Sequence, residues 1–534
     1  MFHPSSNLAQ LLAAIAQGSS PLQLYGLSPA ALAWSITKLW LELRRPILLT
    51  TPTAAQQITF LRDMSFFLAG YDEAAPDNRN VLYAFPHYES LPFVELTPDF
   101  QTASSRLEAA YTLSTQAGIP IIVATGIALV QPLPPRDQLA ANTEYLVVGE
   151  ELDRERFLSF LEAGGYSRRP LVEEQGDYSV RGGVIDFFPP LSADPVRLEF
   201  WGDNIDSIRH FSASTQRSSK HLEDVIVLPV SEVFLDVPAQ KLASHRLRSS
   251  KNTRITEYLQ RREHFPRIER YLACFYDKTE TMWDYLPENC LVVNWDPLNL
   301  KQELDTYRAN LEQDRQSEEA TWPGNWLEGK FPWQTLSCHA VPFGVQDVSE
   351  KNVFYFSLQG NQELAASLAA EAVEPGRLTG PLAARMRQWQ DSGFQTVLVC
   401  RSRSQAERLN LLLGDRQLTA ELTANPRWQR PGTIQLTWDG LSAGFQWLAE
   451  ALIILTEEEV LGAVKEAPKR KTARPLQFFS SLNDLKVGDP IVHLDHGIGL
   501  FRGLVKLTLG NEINDFLYLQ YLGGDKLYLP VDRL

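Results

Sequence analysis

At 534 residues the chain is too long to fold around one hydrophobic core, and roughly three to five domains are expected. Its hydrophobic content of 44% and charged content of 22% are those of ordinary globular protein, while a formal net charge of −15 argues against a chain that coats nucleic acid through a generally basic surface. Four scattered cysteines, Cys274, Cys290, Cys338 and Cys400, form no C-x-x-C pair, which argues against a disulfide framework or a zinc site. The N-terminus lacks a basic leader and no run of about 20 apolar residues occurs, so a cytoplasmic protein without membrane contact is expected.

In chain order, LQLYG is followed by a helical stretch over 29–44, then PILLTT, then a helix from Ala54 to Leu68. VLYAF, a helix over 103–117 and IPIIVAT continue the series. Short apolar strands separated by helices read as a parallel, doubly wound α/β sheet. PLPPRD (132–137) is a proline-rich break and sets the first domain at 1–137. Beyond it, one helix over 153–164 precedes DYSVRGGVIDFFPP, VRLEFWGDNIDSIRHF and DVIVLPV, an inserted α+β domain at 138–232. Residues 233–345 are helix-rich and irregular and are assigned to the remainder of the first domain. A further α/β domain occupies 346–462, from NVFYFSL to ALIILTEEE. KEAPKRKTARP lies in a flexible basic linker, 463–476. The last segment, 477–534, alternates strands and glycine-rich turns and is expected to form a small β-barrel, with a hairpin closed at Gly523–Gly524–Asp525.

Candidate chemistry is sparse. GLSPAALA (26–33) has the strand–turn–helix frame of a phosphate-binding P-loop, G-x-x-x-x-G-K-[ST]. Gly26 opens the frame, but Ala31, Leu32 and Ala33 stand where glycine, lysine and serine or threonine belong. The loop therefore lacks the phosphate cation and the metal ligand, and Pro29 removes an amide donor. GNWLEGKF (324–331) matches G-x-x-x-x-G-K but ends in Phe331, without a strand before it or a helix after it. ALIILTEEE has Thr456 where a Mg²⁺-binding aspartate would stand, and HLDH (493–496) has no third ligand cluster nearby. No catalytic residue and no metal site are expected.

Binding residues are better candidates. In VRLEFW, strand alternation places Val196, Leu198 and Phe200 on one face and Arg197, Glu199 and Trp201 on the other. Arginine and tryptophan side by side are the types enriched at interface hot spots, and Arg181 is followed by two glycines that would let a partner approach. The same pattern also fits a strand whose arginines simply pair with carboxylates. In VKLTL, Val505, Leu507 and Leu509 fall on one face and Lys506 and Thr508 on the other. On pattern alone Leu507 is a core residue; on an open edge, the strand could pair with a strand of another protein.

Two stretches carry a resemblance. GDYSVRGGVIDFFP…VRLEFWGDNIDSIRHF resembles the domain shared by the excision-repair protein UvrB and the bacterial transcription-repair coupling factors. LKVGDPIVHLDHGIGLFRGL…FLYLQYLGGDKLYLPV is similar to the RNA polymerase-interacting module of the coupling factors and of CarD-type regulators. The two in this order, behind a defective P-loop frame, point to the coupling-factor family. The resemblance implies a UvrB-like first domain whose nucleotide site has decayed, with UvrA and the RNA polymerase β subunit as partners. It implies that Arg181, Arg197 and Trp201 form the UvrA-binding surface, with tryptophan where the family often has phenylalanine. It also implies that Leu507, flanked by Lys506 and Thr508, contacts the polymerase, which favours the open-edge reading. UvrB's damage-clamping hairpin is absent, FPHYESLPFVELTPDF being a poor counterpart.

In that family an ATP-dependent DNA translocase follows the polymerase-binding module. Here the chain stops at Val531–Leu534, and no intact P-loop or DE-x-x box occurs in it. The reading is an N-terminal, non-catalytic adaptor for transcription-coupled excision repair without cofactor, ATP, Mg²⁺ and most DNA contact belonging to the motor. A UvrB-like ATP-dependent helicase and a CarD-like transcription regulator are the two alternatives.

Overall fold

The computed structural model describes residues 7–71, 81–88, 100–115, 118–247, 253–313, 333–340, 352–371, 379–438, 440–461, 488, 490–493, 497–509, 512–521 and 526–530. The basic linker, the 324–331 motif, Asp495 and His496, the turn at 523–525 and most of 85–100 lie outside them. The chain divides into two compact units. One comprises described residues of 1–87, 101–234 and 276–464, the other those of 88–100, 235–275 and 465–534.

The first unit contains two parallel sheets. Leu22–Tyr25, Ile47–Thr51, Leu82–Phe85 and Ile121–Thr125 form where the apolar runs predict strands. Between them run the helices Pro29–Leu43, Ala54–Ala69 and Phe100–Thr115. Leu291–Trp295 and Gln334–His339 join the same sheet from the region read as irregular. All pairings in this seven-stranded sheet are parallel. Val353–Tyr355 also belongs here, pairing with Leu22–Tyr25. The expectation that NVFYFSL opens the later α/β domain is therefore corrected: backbone pairing places it at the edge of the first sheet. The proline-rich break is tied to a later segment of the chain. Leu133 exchanges two backbone hydrogen bonds with Glu280, at 2.7 and 3.0 Å, and Tyr285 donates its hydroxyl to the Pro134 carbonyl.

The second parallel sheet is built from Gln395–Cys400, Glu421–Leu422, Ile434–Trp438 and Leu452–Thr456, with Phe445–Trp447 antiparallel at its edge. One continuous apolar core joins it to the first sheet. Trp34 meets Trp447 at 5.3 Å between ring centroids, and Trp447 packs edge-on against Phe356 at 5.6 Å. Trp428 lies against Phe66 and Phe67 and donates its indole N–H to the Phe67 carbonyl at 2.9 Å. Gly70 sits beneath it because a Cβ there would lie 2.1 Å from the Pro426 carbonyl. Asp63, buried, accepts the Ser442 amide and hydroxyl across the same junction. Burial raises its carboxyl pKa, with the Ser442 bonds opposing the shift.

Arg106 and Glu232 form a second buried fixture, at 2.7 Å and 0% and 1% side-chain exposure. The guanidinium also donates to the Pro86 and Pro132 carbonyls and covers the Phe85 ring at 4.5 Å. A buried charge pair of this kind is tolerated because every donor direction is used.

Residues 144–227 supply an α+β module whose pairings are antiparallel except between Ser167–Arg168 and Asp177–Arg181. Six strands from Ser167–Arg168 to Ser218–Leu222 form one sheet, and Glu144–Val147 pairs separately with Asp224–Val227. In the second unit, the helices Val237–Arg246 and Thr253–Arg261 bury Ala243, Leu247, Leu259 and Phe265. Its C-terminal strands, Pro490–His493, Gly497–Leu509, Glu512–Gln520 and Lys526–Pro530, form a four-stranded antiparallel sheet in chain order. Among the described residues no pairing closes the first strand on the last.

Replacing Trp428 with alanine removes an aromatic wedge and its hydrogen bond from the junction of the two parallel sheets. A loss of about 3–5 kcal/mol is expected, read as a lowered urea midpoint for the first unit.

Candidate functional site

The sheet at 167–222 presents two unlike faces. Val196 and Leu198 of the strand Val196–Trp201 are fully buried together with Ile185, Phe187 and Ile208. The helix Arg154–Ala163 covers them, Phe157 packing edge-on against Phe187 at 5.6 Å. Period-two alternation then turns Arg197, Glu199 and Trp201 to the opposite face, as the sequence predicts.

Two hairpin turns close at the same end of this sheet. Asp177–Arg181 turns through Gly182 and Gly183 into Val184–Phe187, and Arg181 pairs with Val184. Gly182 has φ +59° with open space around it, so the turn uses the left-handed region without crowding. Trp201 pairs with Asn204 across a second turn containing Gly202 at φ +66°. That turn is anchored: the Leu152 amide bonds the Asp203 carbonyl at 2.9 Å, and Arg154 donates to the Gly202 carbonyl. Arg154 also lies over the Phe200 ring at 4.7 Å. The backbone of Trp201 is thereby fixed, while its side chain stands 82% exposed. An anchored indole in water is an unusual burden unless something covers it.

The arginines converge on one carboxylate. Arg197 donates Nε to Oδ1 of Asp186 at 2.7 Å and Nη2 to Oδ2 at 2.9 Å. Arg181 donates Nη2 to Oδ2 at 2.8 Å. Asp186 is 1% exposed, Arg197 17% and Arg181 49%, so the pair rises from a buried anchor toward solvent. Arg197 also rests over the Phe211 ring at 4.6 Å. Its pKa is raised, chiefly by the hydrogen bonds to Asp186. On the same face Glu199 accepts the Ser207 hydroxyl at 2.8 Å and lies 3.3 Å from Arg209. The arginines pair with a carboxylate, on the sheet face that also carries the exposed Trp201. Asp186 and Arg209 were missed. The signal for Asp186 was available, because a Gly182–Gly183 hairpin sets Ser179 opposite Asp186 and puts the aspartate on Arg181's face.

The loop at 26–33 has a different fate. Gly26 adopts φ +86°, and a Cβ there would lie 2.1 Å from the Phe356 carbonyl. The Phe356 amide bonds Tyr25, and Ser28 caps the helix by accepting the Ala31 amide at 3.3 Å. Ala31, Leu32 and Ala33 are at most 1% exposed. Lys38, one of the cations of this helix, is buried over the Trp34 ring at 5.4 Å, and burial lowers its pKa.

In the C-terminal sheet, Gly497–Leu509 pairs with Pro490–His493 through residues 497–500 and with Glu512–Gln520 through residues 500–509. A bulge between Phe501 and Leu504, with Gly503 at φ +113°, bends the strand. Lys506, Leu507 and Thr508 pair with Asp515, Asn514 and Ile513; their side chains lie outside the described residues. Among the described residues no strand pairs with the other edge beyond Leu500.

Reactive chemistry has little purchase. Among the described residues no group of three or more His, Cys, Asp or Glu could hold a metal ion. Burial pushes the Cys290 and Cys400 thiols up to about 12, far from thiolate reactivity. No helix of the described residues is long and apolar enough to cross a membrane.

Two family models match stretches of the chain. Residues 145–233 match the UvrB interaction domain, and residues 485–534 match the CarD-like/TRCF RID domain. The transcription-repair-coupling factor of Myxococcus xanthus is 30% identical, over 95% of this chain and 44% of the relative. That of Bacillus subtilis is 26% identical, over 99% and 46%, and that of Haemophilus influenzae 29%, over 84% and 40%. The chain thus spans less than half the length of these curated relatives. It carries a UvrB interaction domain followed by a CarD-like/TRCF RID domain, and along nearly its whole length it is similar to the transcription-repair-coupling factors.

Proposed function

We propose that this chain acts as the adaptor part of a transcription-coupled repair factor, joining stalled RNA polymerase to UvrA. The observation that carries the reading is the coexistence of two docking surfaces of unlike chemistry on one polypeptide. The first is a sheet face with two anchored arginines and an 82% exposed tryptophan, inside the UvrB interaction domain. Planar guanidinia with donors directed outward suit carboxylates on UvrA, and the indole supplies contact area that excludes water. The second is the strand Gly497–Leu509 of the RID domain, whose edge past Leu500 can accept a strand of the polymerase β subunit. Two such modules on one chain raise the local concentration of each partner near the other.

The first domain is read as a P-loop fold whose nucleotide site is lost, and the C-terminal module as a CarD-like barrel of which four strands are described. With the Ala31–Leu32–Ala33 segment in the core, positions 32 and 33 offer neither an ammonium nor a hydroxyl to Mg²⁺-triphosphate. ATP-driven translocation is assigned to parts of the relatives beyond the matched stretch. A cytoplasmic location follows from the partners.

Arg181→Ala combined with Arg197→Ala should weaken UvrA binding by at least about tenfold while polymerase binding persists. Leu507→Arg should do the reverse. Pull-downs against UvrA and the β subunit read both, and normal binding of both partners by both variants would refute the site assignment. Isothermal titration with Mg²⁺-ATP should give no saturable heat. Saturable binding abolished by altering residues 31–33 would favour a UvrB-like helicase instead.

A further inference from the structure

Asp186 touches no solvent and cannot meet a partner, yet both arginines of the proposed surface end on it. Its Oδ1 accepts one N–H of Arg197, and its Oδ2 accepts one from Arg197 and one from Arg181. Three charge-assisted bonds to one carboxylate leave two guanidinia with a single unit of positive charge in excess. The arrangement begins with local rules. The two-residue hairpin at Gly182–Gly183 pairs Asp186 with Ser179 on one side, and the following strand Val196–Trp201 pairs it with Arg197 on the other. Arg181 reaches the same carboxylate from two positions beyond Ser179 on its strand.

Resting on the adaptor reading above, we infer that Asp186 is a positioning residue for UvrA: it holds Arg181 and Arg197 in one fixed fork on the sheet face that also carries Trp201. Each arginine carries rotamer entropy that binding would otherwise remove. Neighbouring guanidinia without a shared anion also repel each other. Asp186 removes both penalties before the partner arrives, and Phe211 beneath the Arg197 guanidinium fixes its plane. The remaining Arg181 donors face outward, since nearly half of that side chain is exposed.

A double-mutant cycle on UvrA binding tests the assignment. Asp186→Asn keeps the shape and removes the charge. It should weaken binding by about tenfold in the otherwise native chain and have no further effect once Arg181 and Arg197 are both alanine. Near-ultraviolet circular dichroism and retained polymerase binding check the fold. Equal weakening in both backgrounds, or none in the native one, overturns the inference. Should Asp186→Asn fail to fold, Arg197→Lys carries the test, because it keeps the charge but loses the two-pronged grip. It should also bind about tenfold more weakly, and native affinity would overturn the proposal. If the double alanine variant itself binds UvrA normally, the adaptor reading fails first, which is a separate outcome.

Discussion

The architecture of the first unit depends on enclosing one helix. Pro29–Leu43 is buried without interruption from Ala30 to Trp40. A helix apolar on every side cannot lie on a surface and must be sandwiched. The first parallel sheet supplies part of the enclosure, and Trp447 of the second sheet reaches Trp34 from the other. Small residues at the helix entrance let these layers approach. Ala31, Leu32 and Ala33 therefore have a packing role at the positions where a nucleotide-binding loop would need glycine, lysine and serine or threonine.

Aromatic contacts, the Trp428 indole bond and the Asp63–Ser442 bonds fill the seam between the two parallel sheets. The chain also carries a sheet face on which two arginines end on one buried aspartate, and a strand edge in the C-terminal module.

Much of this was readable from residues. LQLYG, PILLTT, VLYAF and IPIIVAT form strands because buried parallel strands need continuous apolar runs, and the helices between them show their own period. The alternation in VRLEFW was legible for the same local reason. Other features depend on distant partners. Val353–Tyr355 looked like the start of a new domain, but membership in a sheet is decided by the strand it meets, 330 positions away at Gln23. Leu291–Trp295 hid in a stretch of short helices. Asp186 looked like one polar residue in an apolar strand, and its importance follows only from the register that brings two arginines to it. The resemblance to coupling factors located the surface; the geometry supplied its internal order.

The crowding at Gly26 carries an evolutionary consequence. Its α-carbon faces the Phe356 carbonyl so closely that no side chain fits. Ala31, Leu32 and Ala33 lie within the same apolar core. A lysine at 32 would push an ammonium into hydrocarbon. Drift at this loop is therefore constrained by interior fit.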